Sequence, residues 1–355
     1  MSDSTYVGKY GQLKVLSRDF LSGDFIEQLS SKDSGEILKA LSSTTYKTEI
    51  DSLSGLYKMP DLFEVVINAH AMRMIRYAMS SVPPSAKDFV VSYLSKFDIE
   101  NIKLILSSKM LGYDVEHTEN FLMVQRNIPA GVISGIIKSE EYKGLVAQKD
   151  IDSVVKSLTK YGYGVVLLKY LEDAKKSGNL SNMIFALDVY YYDKLFEAYR
   201  FHNSPEGSVR GFLQDLIDIK NIMSAIKAST FSYQIDKSDI IPNGKIPASE
   251  LVSLAAKDLD AIKEKIPFNI GYAIEAYKKE PHISYIDIAL KRELYKKYLG
   301  VFSRSSFSIG FILGFMLKSE IERDELRNVW LNTYYGVRKE VTEAMKVLKH
   351  INLAR

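Results

Sequence analysis

An acidic motif occurs three times in this chain of 355 residues, and its side chains are the first candidates for chemistry. The copies begin 120 residues apart (98 to 218) and then 104 residues apart (218 to 322). They read Asp98-Ile99-Glu100-Asn101-Ile102, Asp218-Ile219-Lys220-Asn221-Ile222 and, in a more divergent form, Glu322-Arg323-Asp324-Glu325-Leu326.

An acid followed three residues later by Asn or Glu is typical of a helix start. The acid accepts hydrogen bonds from the free N–H groups of the first turn, and its charge suits the helix dipole. We therefore predict that these residues are structural and cap three helices, with contact to a partner as the alternative role. The predicted capping pairs are Asp98 and Asn101, Asp218 and Asn221, and Glu322 and Glu325.

Other motifs that could carry catalysis are incomplete. Residues 243–246 (Asn-Gly-Lys-Ile) lack the upstream Gly and the following Ser or Thr of a phosphate-binding loop. Residues 161–164 (Tyr-Gly-Tyr-Gly) lack the third Gly and the preceding strand of a dinucleotide site, and 131–135 have the wrong spacing for a nucleophile elbow. The histidines include no pair at i, i+4, the spacing of helical zinc sites; they are His70, His117, His202, His282 and His350. We predict no catalytic residue, no cofactor and no metal, so that the chain is not an enzyme by itself.

Composition narrows the class of protein. A hydrophobic content of 46% in 355 residues is enough for a large core, and a net charge of +3 does not indicate a nucleic-acid partner. The chain has no cysteine, which excludes disulfides and thiolate metal sites. The longest apolar stretch, residues 311–317, is far below the ~18–20 residues needed to cross a bilayer. With no signal region at the N-terminus, we expect a soluble protein or one that touches a membrane from outside.

The apolar pattern around the motifs indicates the elements that must hold them. Steps of four residues on each side of each motif predict two helices separated by a break, each with one apolar face. An aromatic anchor precedes the motifs by 52, 55 and 54 residues, at Tyr46, Tyr163 and Phe268. The equivalent apolar positions are Phe89, Val209 and Leu313; Tyr93, Leu213 and Leu317; Phe97, Ile217 and Ile321; Ile102, Ile222 and Leu326; and Leu106, Ile226 and Trp330.

These repeats predict an all-α chain of three similar units, at residues 1–120, 121–236 and 237–355. Each unit should contain a long helix after the aromatic anchor, at residues 62–79, 182–200 and 285–298. The stretch Val165-Val166-Leu167-Leu168 has strand-like composition, but its flanks contain good helix formers and favour a helix.

The threefold pattern resembles the C subunit of archaeal and bacterial V-type (A-type) ATPases, whose eukaryotic counterpart is the d subunit. Residues 97–106 are similar to that family's acid-Ile/Leu-x-Asn-Ile/Leu-Lys signature, and residues 218–222 match a second copy. Residues 311–336 resemble the C-terminal copy, which ends in a Gly, and residues 41–46 resemble a Leu-x-x-Thr-x-Tyr segment. The resemblance extends from about residue 6 to residue 348. The sequence departs from the family pattern at Ser107-Ser108, where a basic residue is common.

The resemblance implies a funnel of three all-helical units about a pseudo-threefold axis. It also implies a non-catalytic central-stalk subunit, present once per complex on the cytoplasmic face of the membrane as a peripheral protein. Its partners would be the central-shaft subunits, the membrane proteolipid ring and the cytoplasmic part of the stator membrane subunit. Torque passing through this rotor part would couple ion transport, including hydrogen ion transport, to ATP synthesis or hydrolysis. The alternatives are an α-helical scaffold with other soluble partners and a helical enzyme with unrecognised motifs.

Overall fold

The computed structural model describes residues 7–122, 132–201, 206–305 and 308–335. Within these ranges every regular element is helical and there is no strand, so the predicted all-α class is confirmed. In chain order the helices are α1 (Val7–Leu16), α2 (Gly23–Leu29), α3 (Ser34–Leu41), α4 (Lys47–Leu53), α5 (Asp61–Ser80), α6 (Lys87–Met110), α7 (Val115–Phe121), α8 (Tyr142–Val146), α9 (Ile151–Ser157), α10 (Tyr163–Leu167), α11 (Leu171–Ser177), α12 (Ser181–Phe201), α13 (Gly207–Phe231), α14 (Ala248–Ala255), α15 (Leu259–Lys263), α16 (Gly271–Lys279), α17 (Ser284–Arg304) and α18 (Ile309–Tyr335).

The order of elements repeats three times along the chain. Several short helices are followed each time by two long ones, which are α5 and α6, α12 and α13, and α17 and α18. The first long helix of each pair has 20 or 21 residues and contains the range predicted for it from the sequence. The strand-like stretch beginning at Val165 lies in or next to the helix α10, as its flanks predicted. The boundaries of the three units remain predictions.

The second long helix of each pair carries the acidic motif, and here the sequence interpretation is wrong in one respect. The helices α6, α13 and α18 run through the motif without a break, over 24, 25 and 27 residues. Asp98, Asp218 and Glu322 therefore lie in the middle of long helices, several turns from either end. None of them is at a helix start, so the predicted N-capping role is corrected.

The apolar positions that accompany the motifs are all buried, as their spacing predicted. The side chains before and after each acid, such as Phe89 and Leu106 around Asp98, are at most 5% exposed. The aromatic anchors Tyr46, Tyr163 and Phe268 are buried as well. One apolar face thus continues along the whole of each motif helix, and this burial is the main stabilising contribution to these helices.

The chain divides into two compact units, one drawn from Met1–Thr45, Met74–Pro83 and Pro205–Arg355 and the other from Tyr46–Arg73 and Pro84–Ser204. In the first unit, α18 packs against α17, α2 and α3, and α13 packs against α14 and α17. In the second unit, α6 and α10 both pack against α12. Among the described helices, none combines the length and the apolar character of a membrane-spanning segment.

Candidate functional site

Asp98 lies fully buried at the middle of α6 and accepts hydrogen bonds from a loop more than 35 residues further along the chain. The backbone N–H of Gly135 donates to Oδ1 at 2.8 Å, and those of Ile136 and Ile137 donate to Oδ2 at 2.6 and 3.3 Å. This loop leads into the 3-10 turn Ser139–Glu141 and then α8. The carboxylate therefore fastens the start of the next set of short helices to the long helix.

Two tyrosines complete the set of donors around Asp98. The hydroxyl of Tyr142 donates to Oδ1 at 2.7 Å, and that of the aromatic anchor Tyr163 donates to Oδ2 at 3.2 Å. Burial raises the pKa of Asp98, although the hydrogen bonds from Tyr142 and from the loop oppose this shift. All five neighbours are donors, which is the environment that an ionised carboxylate requires, because it can only accept.

The same loop is held by two further features of the sequence. The side chain of Asn101, one turn after Asp98, donates from Nδ2 to the backbone oxygen of Ile133 at 2.9 Å. Gly135 lies so close to α6 that a Cβ atom built on it would be 2.5 Å from the Cα of Ser95. Only glycine lets the loop backbone approach the helix closely enough for its N–H groups to reach the carboxylate.

The second copy of the motif repeats this geometry within the other compact unit. Asp218 accepts hydrogen bonds from the backbone N–H of Lys245 at 2.9 Å and of Ile246 at 3.1 Å. Asn221 forms two hydrogen bonds with Ile241, one to its carbonyl and one from its N–H, both at 2.9 Å. A Cβ on Gly244 would collide with Oδ1 of Asp218, so this glycine corresponds to Gly135. Burial raises the pKa of Asp218, as it does at Asp98.

An additional acid, Asp215, extends the second site. Its carboxylate accepts hydrogen bonds from the ammonium of Lys245, from Lys297 at 2.7 Å and from the hydroxyl of Tyr298 at 2.7 Å. Burial alone would raise the pKa of Asp215, but the hydrogen bonds from the two lysines and Tyr298 hold it below its usual range. Lys245 is therefore held by two carboxylates. Its backbone N–H donates to Asp218, and its side-chain ammonium donates to Asp215.

The acid of the third copy forms its hydrogen bond with the N-terminal part of the chain. The carboxylate of Glu322 accepts a hydrogen bond from the backbone N–H of Leu21, which precedes α2. Glu322 is almost fully buried, and Glu325 one turn later is buried with it. Glu replaces Asp here, and the longer side chain reaches a loop that comes from the other end of the sequence.

The three acids thus share one structural role that the sequence did not reveal. Each acid holds the loop in front of a short helix that lies far away in the chain: Asp98 holds the loop before α8, Asp218 the loop before α14 and Glu322 the loop before α2. One signal was present in the sequence. On an unbroken helix each acid lies one turn before Ile102, Ile222 or Leu326, on the apolar face, where a carboxylate needs donors.

The other sequence candidates do not assemble into a reactive centre in the part of the chain that the structure describes. No group of three or more His, Asp or Glu side chains there is arranged to hold a metal ion. His70 is buried against Glu49, and His117 is exposed. His202, His350 and Gly131 lie outside the described residues.

Comparison with known proteins identifies the family of this chain. The family model "ATP synthase (C/AC39) subunit" matches residues 10–345. The C subunit of the A-type ATP synthase of Thermoplasma volcanium is 35% identical over 346 residues, which cover 95% of this chain and 97% of that protein. The corresponding protein of Thermoplasma acidophilum is 34% identical, with 97% and 99% covered, and that of Methanocaldococcus jannaschii is 23% identical, with 85% and 76% covered. A match of this length and identity identifies the family, and the chain belongs to the ATP synthase (C/AC39) subunit family.

Proposed function

We propose that this protein is a non-catalytic central-stalk subunit of a rotary A-type or V-type ATPase. In this role it links the central shaft to the membrane proteolipid ring and transmits torque between ion transport and ATP synthesis or hydrolysis. The observation that carries the proposal is the family match over residues 10–345, together with relatives named as C subunits of A-type ATP synthases over nearly their full length.

The buried acids support a mechanical role. A part that transmits torque has to resist deformation, and close-packed helices joined by buried, charge-assisted hydrogen bonds are stiff. Asp98 accepts five such bonds, three from a distant loop and one each from the tyrosines at the start of α8 and α10, and Asp218 with Asp215 contributes a second set. Each of these contacts joins segments that are far apart in sequence, so that they oppose sliding of one repeat past the next.

The order of the contacts supports the three-unit arrangement as part of the proposal. Asp98 holds a segment of the second predicted unit, and Asp218 holds a segment of the third. Because Glu322 holds Leu21, the series of contacts then returns to the first predicted unit. This is the order expected for three units about a pseudo-threefold axis, the arrangement that the family resemblance implies. We include in the proposal a peripheral position on the cytoplasmic face, contact with the membrane only through the ring, and one copy per complex.

A pull-down from detergent-solubilised membranes of the host tests this role directly. The tagged chain should recover proteolipid and central-shaft subunits, identified by mass spectrometry. Asp98→Ala should recover less of them at elevated temperature, whereas Glu100→Ala, which changes an exposed acid two residues away on α6, should behave like the parent. Recovery of unrelated soluble proteins without any ATPase subunit would refute the stalk role and favour the scaffold alternative.

A further inference from the structure

The second motif helix, α13, ends at a cleft that has no role in the arrangement described above. The cleft has a volume of about 580 Å³ and lies where the C-terminal ends of α13 and α14 meet α15 and α16. The described residues of its lining all belong to the first compact unit. Sites for small molecules in proteins have volumes of roughly 300–1,000 Å³, so that the cleft is large enough to hold one.

Hydrogen bonds fix the backbone around the cleft. The hydroxyl of Ser229 in α13 donates to the backbone oxygen of Lys257 at 2.5 Å, which joins α13 to the segment between α14 and α15. The backbone N–H of Lys257 also donates to Leu254 of α14 at 2.9 Å. Beyond the end of α13, the backbone N–H of Tyr233 donates to Ala228 at 3.1 Å. The cleft is therefore preformed between helix ends that are tied to one another.

Two helix ends with negative partial charge meet at the cleft. The C-terminal end of a helix carries about half a negative charge and leaves its last carbonyl groups without partners in the helix. Thr230 in α13 and Ala255 and Ala256 at the end of α14 line the cleft, and their carbonyl oxygens accept no hydrogen bond from the described residues. The hydroxyl oxygen of Thr230 is buried and also lacks a partner there. These acceptors suit a ligand that donates hydrogen bonds and is positively charged.

Side chains of the lining add to this preference for a cation. Tyr233, which is 47% exposed, and Tyr277 of α16 place two aromatic residues on the cleft, and aromatic rings attract cations to their faces. Asp258 is exposed and adds a carboxylate, which also accepts the backbone N–H of Ala261 at 2.8 Å as the N-cap of α15. Lys257 is the one cationic side chain among the described residues of the lining. Because like charges repel, removing Lys257 should strengthen the binding of a cation and weaken that of an anion.

We propose that this cleft binds an alkylammonium group, supplied either as a free aliphatic amine or as a lysine side chain of another protein. An ammonium has three N–H donors and no acceptor, which matches the free carbonyl oxygens at the ends of α13 and α14. Its methylene chain packs against the tyrosines, and its charge is attracted by their rings and by Asp258. The proposal does not depend on the role in a rotary complex.

Ligand-observed nuclear magnetic resonance titration of the purified full-length chain at low ionic strength tests the proposal. One arm uses the linear diamine diaminopentane, and the other uses lysine with blocked backbone groups as the probe for a lysine side chain. Pentanediol, which has the same length without charge, is the reference for both arms. Tighter binding than that of the diol in either arm supports the site, and the stronger arm identifies the source of the ammonium. Binding in neither arm, or a diol that binds as well as the diamine, would overturn the proposal.

Variants then locate the binding and fix the sign of its charge dependence. Tyr233→Leu removes an exposed ring and should weaken diamine binding about two- to fivefold. Asp258→Asn should weaken it to a similar degree, and it leaves α15 capped because Asn is as good an N-cap as Asp. Lys257→Gln should instead strengthen binding by about twofold.

The matched control is Tyr113→Leu, which removes an exposed tyrosine of the other compact unit and should bind the diamine as the parent does. Equal affinity of Tyr233→Leu and Tyr113→Leu would show that the amine binds elsewhere and would overturn the proposal. Weaker binding by Lys257→Gln would also overturn it, because that is the response of a site that prefers anions.

Discussion

Removing the carboxylate of Asp98 should destabilise the protein far more than the loss of a helix cap. Asp98→Ala leaves the backbone N–H groups of Gly135, Ile136 and Ile137 without an acceptor beside α6. One of these donors is buried and two are partly buried, so that each costs about 1–2 kcal/mol when left unsatisfied and the three together cost about 3–6 kcal/mol. The two tyrosine hydroxyls are left out of this sum because a hydroxyl hydrogen can rotate towards another acceptor, whereas a backbone N–H cannot. Loss of an N-cap would cost only about 0.5–2 kcal/mol.

Urea unfolding followed by far-ultraviolet circular dichroism measures this difference. Asp218 accepts from two backbone N–H groups, so that Asp218→Ala should cost about 2–4 kcal/mol, less than Asp98→Ala. The matched control is Glu100→Ala, an exposed acid on the same helix as Asp98, with an expected change within about 0.5 kcal/mol.

A third variant separates hydrogen bonding from simple loss of volume. Asp98→Asn has the same shape but turns an NH₂ group towards neighbours that are all donors, so that it should lose most of what Asp98→Ala loses. Losses below about 2 kcal/mol for Asp98→Ala, or a stable Asp98→Asn, would refute the assignment of the carboxylate as the anchor of the loop.

Three further predictions concern the loop, the second acidic site and the buried Lys318. Gly135→Ala should cost at least about 2 kcal/mol of stability because the added Cβ meets the backbone of Ser95. A Cβ added at Gly144 meets no atom within 4 Å, so that Gly144→Ala should be neutral or slightly stabilising. Thermal melts of both variants test this difference. Burial would raise the pKa of Asp215, but its lysine partners hold it lower, so that its contribution to stability is present above about pH 4 and is lost as the pH falls further. The difference in unfolding free energy between the parent and Asp215→Asn should therefore shrink in acid, and a difference that stays constant would contradict the ion pairs. The pKa of Lys318 is about 8 against an ordinary 10.5, so the unfolded chain binds more protons between these values, and stability should rise with pH there. Lys318→Met should abolish that rise, and an unchanged pH profile would contradict the burial of this ammonium.

The predictions that succeeded rest on periodicity. Apolar residues at steps of four place Phe89, Tyr93 and Phe97 on one face of a helix whatever the rest of the chain does, and all three are buried. The first two long helices after the aromatic anchors were predicted to within one residue at each end for the same reason, and the third continues to Arg304, beyond its predicted end at 298. Periodicity reports local geometry, and local geometry is a property of the sequence itself.

The helix break at the acidic motif was predicted wrongly because the same residues suit two environments. Asp followed by Asn is typical of a helix start, and Asp is a poor residue for a helix interior, costing about 0.7 kcal/mol or less relative to Ala. In α6 this small cost is outweighed by the hydrogen bonds that Asp98 accepts from a loop 37 to 39 residues further along the chain. Helix propensity describes only the local contribution to the free energy of folding, whereas the donors to Asp98 come from a distant segment.

The sequence by itself determined the all-α class, the internal repeat, the buried face of each long helix and, through its motifs, the family. Only the tertiary structure decided what the repeated acids do, because a carboxylate carries no information about which distant N–H groups will reach it. It also decided why Gly135 and Gly244 occur where they do, and that Glu322 meets the N-terminal segment at Leu21. Each of these features depends on segments that are far apart in the chain and become neighbours only when the helices pack.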